Sequence, residues 1–205
     1  MTVHGPDRAG GRPHEFDADL ISRLLADLDR RLRQRGAAAS LFIVGGAAIA
    51  ASGIRGRRLT EDVDALARQD VSGIVLAEAR AIAQEEGLTP DWLNPAAGMW
   101  MPPLPHGVLD PPPTPGLRTT YADDGFLLAT KLIAQRAKDA DDVLALARRL
   151  GLGSATAQQL EAHIHRYYTD AEALAFILGG DDVEREVELL AHDAARMLHR
   201  RAGSA

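Results

Sequence analysis

Apolar residues recur at helical spacing from about Phe16 to Arg35, where Leu20, Ile21, Leu24, Leu25, Leu28 and Leu32 define one face. Asp17 or Asp19 can cap the start of this helix, and Gly36 ends it. The pattern then changes. Ser40 to Gly45 is a continuous apolar run of strand type, broken at Gly45-Gly46. Ala47 to Ser52 predicts a short helix whose small side chains let it lie close on a sheet. Gly53 to Leu59, rich in Gly and Arg, bridges to a second strand expected over Asp62–Ala67. Val71 to Glu86 predicts an amphipathic helix with Ile74, Val75, Ala79 and Ile82 inward and Gly87 as its stop. Leu117 to Tyr121 has the composition of a third strand. Asp124 to Gly151 predicts one long helix, with Leu128, Leu132, Val143, Leu146 and Leu150 on a single stripe at 100° steps and Asp139 in the middle of it, where a lone carboxylate is costly unless paired. From Ala155 onward the pattern is helical: Thr156–Thr169, Asp170–Leu178 and Asp181–Arg200, with Gly179-Gly180 between the last two.

Pro95 to Gly116 fits neither period. It includes the run Pro111-Pro112-Pro113, and proline lacks an amide donor and resists helices and central strands. Irregular loops of this length in a compact domain tend to be functional, and this one is expected to form a flap beside the active site, pinned by Met99, Trp100 and Met101. Trp92 just before it reads as a core anchor, Asn94 as a weak site candidate, and His106 as solvated.

These elements predict an α/β (α+β) fold: a small mixed sheet flanked by helices, followed by an all-helical C-terminal part. Residues 1–15 are expected to form a flexible leader, 16–122 the core, and 123–205 a helical part that completes the active site. At 205 residues the chain can bury a real core, but aromatics make up only 4%, so Ala, Leu, Val and Ile do the packing. No cysteine is present, which excludes disulfides and thiolate metal sites. No run of 18 apolar residues and no secretory signal is visible, so a cytoplasmic protein with no membrane partner is expected. A net charge of −6 excludes a general nucleic-acid coat, although Arg55, Arg57 and Arg58 form a local basic turn. His163 and His165 diverge on a helix, make a poor metal pair and read as solvated. The acids at 181, 182, 184 and 186 read as a helix N-terminal turn favoured by the macrodipole.

The chemistry concentrates in Leu41–Leu66. Residues two apart on a strand face the same way, so Asp62 and Asp64 project together with Val63 behind them. Two such carboxylates repel unless a cation sits between them, and oxygen ligands suit Mg²⁺, or Mn²⁺ in its place. Gly45 and Gly46, without β-carbons and at the start of a helix, let backbone N–H groups approach a phosphate. Thr60 either bonds a phosphate or closes a turn.

This stretch resembles the signature of the nucleotidyltransferase superfamily, typified by the DNA polymerase β palm: a glycine pair opening a helix, then Asp-x-Asp on the next strand. Arg57 and Thr60, ahead of the acids, make it similar to the minimal toxin-type members, the AbiEii-like and MenT-like proteins and their uncharacterised DUF6036-type relatives. The Trp92-Leu93-Asn94 element adds to the likeness. A second matching motif follows in Leu127-Leu128, Lys131-Leu132, Arg136, Asp139 and Asp142. One feature departs from the pattern: many members carry a third carboxylate on the strand after the pair, and none stands within Leu117–Tyr121, although Asp123 and Asp124 come just after it.

The resemblance implies transfer of a nucleoside monophosphate from a nucleoside triphosphate. Asp62 and Asp64 would hold Mg²⁺, and Gly45, Gly46, Arg57, Thr60 and Lys131 would bind the nucleotide. Asp62, Asp64, Lys131, Asp139 and Asp142 form the implied catalytic set. The implied acceptor is RNA, the 3′ end of tRNA first, and the implied biological setting is a toxin paired with an antitoxin protein. Transfer to protein or to a small molecule such as an aminoglycoside is the first alternative. A catalytically weak nucleotide-binding module, suggested by the missing third acid, is the second.

Overall fold

A computed structural model of the protein describes residues 15–56, 59–95, 98, 100–180 and 182–202. It is a mixed α/β fold in which a four-stranded sheet, in the order β3-β2-β1-β4, is flanked by helices. The strands are β1 (Ala38–Ile43), β2 (Val63–Leu66), β3 (Leu93–Asn94) and β4 (Gly116–Tyr121). β1 pairs antiparallel with β2 and parallel with β4, and β2 pairs parallel with β3. β1 is central and covered on both faces. Ala39 to Ile43 are all buried, which explains why the sequence here is a continuous apolar run rather than an alternating one.

Register decides what each face carries. Phe42 lies opposite Leu66 and Thr120, and Asp64 opposite Asn94. Residues directly opposite share a face, and the side-chain period is two. One face therefore carries Phe42, Thr120, Asp64, Leu66 and Asn94, and the other carries Ile43, Val63 and Ala65.

The apolar face is covered by α1 (Ala18–Gln34) and α3 (Gln69–Glu86). α1 buries Ile21, Leu24, Leu25, Leu28 and Leu32, and the Asp17 side chain accepts from the Leu20 N–H at 2.9 Å to cap its start. Asp29 of α1 accepts from the Leu117 N–H at 2.7 Å and so ties the helix to β4. Trp92 is fully buried and donates from Nε1 to the Ala79 carbonyl of α3 at 2.8 Å, which confirms it as a core anchor and fixes β3 beside β2.

The Pro95–Gly116 loop lies across the opposite face. Gly98 packs against Leu66, and Ser40 Oγ and Arg118 both donate to the Asp110 carbonyl. The loop thus packs on the sheet face that carries Asp64, at the end bearing Ser40 and Leu66. Met99 lies outside the described residues, Met101 is partly buried, and Trp100 remains half exposed while its carbonyl accepts from Tyr168 Oη at 3.0 Å.

Three expectations about the secondary-structure elements need correction. Strand limits shift: the first strand begins at Ala38 and ends at Ile43, and the second is Val63–Leu66, with Asp62 just outside it. The strand after the carboxylates is the two-residue β3, so Leu117–Tyr121 belongs to a fourth strand on the far side of β1. The largest change concerns residues 124–151, which do not form one helix. α4 (Asp124–Ala134) stops at Gln135, whose backbone is left-handed (φ 42°). A 3-10 turn over Ala137–Asp139 follows, then α5 (Ala140–Arg149). The left-handed residue is sterically disfavoured without a glycine and is held by its surroundings, with Gln135 Nε2 donating to the Leu190 carbonyl at 2.7 Å. A 100° projection cannot register such a break, because both segments keep the same period on either side of it.

The C-terminal part consists of α6 (Ala157–Tyr167), α7 (Ala171–Leu178) and α8 (Val183–Ala202). Thr156 and Gln159 form a reciprocal capping box at the start of α6, and the Asp170 side chain caps α7. His163 is buried rather than solvated. Its Nε2 lies 2.9 Å from the Gly125 carbonyl, and burial pushes its pKa down. No helix among the described residues is long and apolar enough to cross a membrane.

Candidate active site

Asp62 and Asp64 stand on the same side of the sheet. Asn94 Nδ2 donates to both, to Asp64 Oδ1 at 3.0 Å and to Asp62 Oδ2 at 3.4 Å. One amide group bridges the pair, although Asp62 stands just outside β2. Asn94 was the weak candidate of the sequence, and it occupies the neighbouring strand position opposite Asp64. The strand following the pair thus offers a neutral amide beside it. The acids that follow β4 are engaged elsewhere: Asp123 caps α4 through the Phe126 N–H, and Asp124 pairs with Arg149 at 2.8 Å.

Gly45 abuts the pair. The chain leaves β1 through Val44, whose N–H donates to the Asp64 carbonyl at 2.9 Å, and turns at Gly45 with φ +61° into α2 (Gly45–Ser52). A β-carbon at Gly45 would fall 2.6 Å from Asp64 Oδ2. Glycine is therefore required twice here, by the left-handed backbone and by the carboxylate. No side chain caps the start of α2, and the first backbone N–H groups of a helix have no intrahelical acceptor. Gly46 lies in that first turn. Gly45→Ala is expected to lower stability by about 1–3 kcal/mol and to displace the Asp64 carboxylate, read as a lower melting temperature.

Asp64 carries a strongly raised carboxyl. Burial, and then the negative charge of Asp62, push its pKa up to about 6, against the pull of Arg136, Asn94 and Lys131. A pair short of positive charge fits a divalent ion held by oxygen ligands.

Lys131 is in electrostatic reach of Asp64, although it comes from a distant segment. It is buried, with Nζ 2.8 Å from Asp139 Oδ1 and 3.1 Å from Asp142 Oδ2. The turn at Gln135 makes this possible by folding the first turn of α5 back onto α4. Arg136 Nε pairs with Asp139 at 2.9 Å, and Arg55 reaches across from the loop after α2 to Asp142 at 2.7 Å and Asp141 at 3.3 Å. Burial alone would raise the Asp139 pKa, but the hydrogen bonds and charges of Lys131 and Arg136 hold it below the usual carboxylate range. Asp139 and Asp142 therefore face the cations Lys131, Arg136 and Arg55.

Of the remaining sequence candidates, Arg57 lies outside the described residues. Thr60 exchanges two backbone hydrogen bonds with Phe16, at 2.7 and 3.0 Å, so its main chain anchors the segment entering α1. Arg55 was visible in the sequence only as part of a basic turn. Its partner is 87 residues away, and no local pattern announces such a contact.

The chain matches no family model, no curated protein and no solved structure.

Proposed function

We propose that this protein is a divalent-metal-dependent nucleotidyltransferase that moves a nucleoside monophosphate from a nucleoside triphosphate to an acceptor hydroxyl. The observation that carries the reading is the bridged pair Asp62 and Asp64, set against Gly45 at an uncapped helix start and within the field of Lys131 and Arg136. Asp62 and Asp64 would hold Mg²⁺ or Mn²⁺, which when bound supplies Lewis-acid stabilisation and aligns an attacking oxygen. The N–H groups of Gly45 and Gly46 donate to phosphate oxygens. The acceptor hydroxyl gives up its proton to solvent as its oxygen bonds to the α-phosphorus and the bond to the β-phosphate oxygen breaks, and Arg136 and Lys131 stabilise the charge that develops on pyrophosphate. Lys131 acts from inside its two carboxylates, whereas the Arg136 side chain is half exposed and stands nearer solvent.

The acceptor rests on the resemblance alone: RNA, with the tRNA 3′ end first, and an antitoxin protein as partner. Radiolabelled nucleoside triphosphate incubated with cell RNA, with lysate protein and with neither is the test. Label on RNA is expected, and Asp62→Ala and Asp64→Ala are each expected to reduce it at least about a hundredfold. Label on protein would redirect the reading to the first alternative. A second reading, a nucleotide-binding module with weak or no transfer, is favoured by the amide of Asn94 in place of a third acid. Nucleotide binding without label on any acceptor would select it.

The raised pKa of Asp64 sets a pH dependence. Below about pH 6 a proton competes with the cation for this carboxylate. Apparent Mg²⁺ affinity is expected to fall by up to about tenfold per pH unit below that value and to level off above pH 7, as calorimetric titration between pH 5 and 8 would show.

A further inference from the structure

A second cluster of ligating side chains lies away from the carboxylate pair, between α6 and α8. Glu161 and His165 are four residues apart on α6 and so share one face. Glu184, in the first turn of α8, faces them. One ligand atom from each of the three lies within 4.8 Å of the others. His165 Nε2 is shielded from solvent and has no hydrogen-bond partner among the described residues. The Glu184 Oε2 oxygen is 3.3 Å from it, close enough for attraction but without hydrogen-bond alignment.

These observations converge on an ion. A shielded imidazole nitrogen without a hydrogen bond is unfavourable, and metal coordination satisfies it. The 3.3 Å separation of His165 Nε2 and Glu184 Oε2 is close to the edge of a tetrahedron with bonds of about 2.0–2.1 Å, roughly 3.4 Å. An imidazole with two carboxylates suits Zn²⁺ and its transition-metal neighbours, whereas Mg²⁺ prefers oxygen and water. The cluster borders a cleft of about 810 Å³ that Glu188 and His192 of α8 also line, which leaves a side open for water or a fourth ligand.

We propose that Glu161, His165 and Glu184 form a transition-metal site, with Zn²⁺ as the best fit, that clamps the start of α8 to α6. It is independent of the nucleotide reading and shares no residue with it. The probe is Zn²⁺ added to the untagged, chelator-stripped full chain, followed by calorimetry, with Co²⁺ substituted for its visible absorption. In the Asp64→Ala background, which removes the carboxylate pair as a competing site, one Zn²⁺ per chain at micromolar affinity is expected, with a higher melting temperature and a tetrahedral Co²⁺ spectrum. Mg²⁺ should not displace the ion. His165→Ala and Glu184→Ala are each expected to weaken Zn²⁺ binding by about 10- to 100-fold or more. Glu184, with a side chain 76% exposed, can be removed without disturbing packing, so its loss of binding cannot be ascribed to misfolding. Asp64→Ala should retain the Zn²⁺ site. Absence of Zn²⁺ binding at micromolar concentration, binding that survives both His165→Ala and Glu184→Ala, or binding lost on Asp64→Ala instead would each overturn the proposal.

Discussion

Asp64→Asn is expected to raise the metal-free stability of the protein at pH 8 while removing its proposed activity. In the folded state burial and Asp62 raise the Asp64 pKa from 3.8 to about 6. A raised carboxyl contributes its stabilising share in full below the unfolded value and loses it as pH rises through the folded one. At pH 8 the ionised group is therefore a net burden. A shift of about two units corresponds to roughly 3 kcal/mol, which solvent screening at a partly exposed site reduces to about 1–2 kcal/mol. Asparagine keeps the shape, can still accept from Asn94 and carries no charge. Thermal melts in chelator should show the variant several degrees above wild type at pH 8, with the gap closing as pH falls through about 6 toward 4. Mg²⁺ should stabilise wild type at pH 8 and leave the variant nearly unmoved. A variant less stable than wild type at pH 8 would mean that the carboxylate is held for packing rather than for a cation.

Lys131→Met is expected to have the opposite effect, lowering stability by about 3–5 kcal/mol. Its ammonium lies between two buried carboxylates, at 2.8 and 3.1 Å, and its removal takes a cation from both Asp139 and Asp142. The loss should be smaller in the background of Asp139→Asn, because the charge stranded by the first change is gone. A double-mutant cycle in denaturant would show a coupling of at least about 1 kcal/mol. Additive single effects would mean that the lysine and the aspartate do not act as a pair. Lys131→Arg, which keeps the charge, separates folding from chemistry. It should recover much of the stability, while transfer stays low if the ammonium must occupy one position among the acids.

The first motif was legible because it is local. Strand parity predicted Asp62 and Asp64 on one side, Asn94 holds them there although Asp62 stands just outside the strand, and the glycine at 45 answers to a carboxylate nineteen residues away on the paired strand. The second motif was legible only as a set of residues. Its single-helix reading placed Asp139 on a buried stripe. That burial is real, but it arises from the reversal at Gln135 rather than from a continuous face. Leu150, the last residue of that supposed stripe, is exposed. Asn94 could have been promoted by noting that a strand next to the pair would bring its polar residue opposite Asp64. Arg55 carried no such sign.

Periodicity and glycine placement, which depend on backbone geometry over a few residues, were enough to read the helices outside residues 124–151, the central strand and the shared side of the two carboxylates from the chain alone. Three features required the folded molecule: the two-residue strand that brings Asn94 to the acids, the left-handed turn that returns Asp139 and Asp142 to Lys131, and the reach of Arg55 across to α5. Each depends on a contact between segments far apart in sequence. Such contacts form only when burial and charge pairing outweigh the entropy of bringing the segments together, and a local pattern carries no record of that balance.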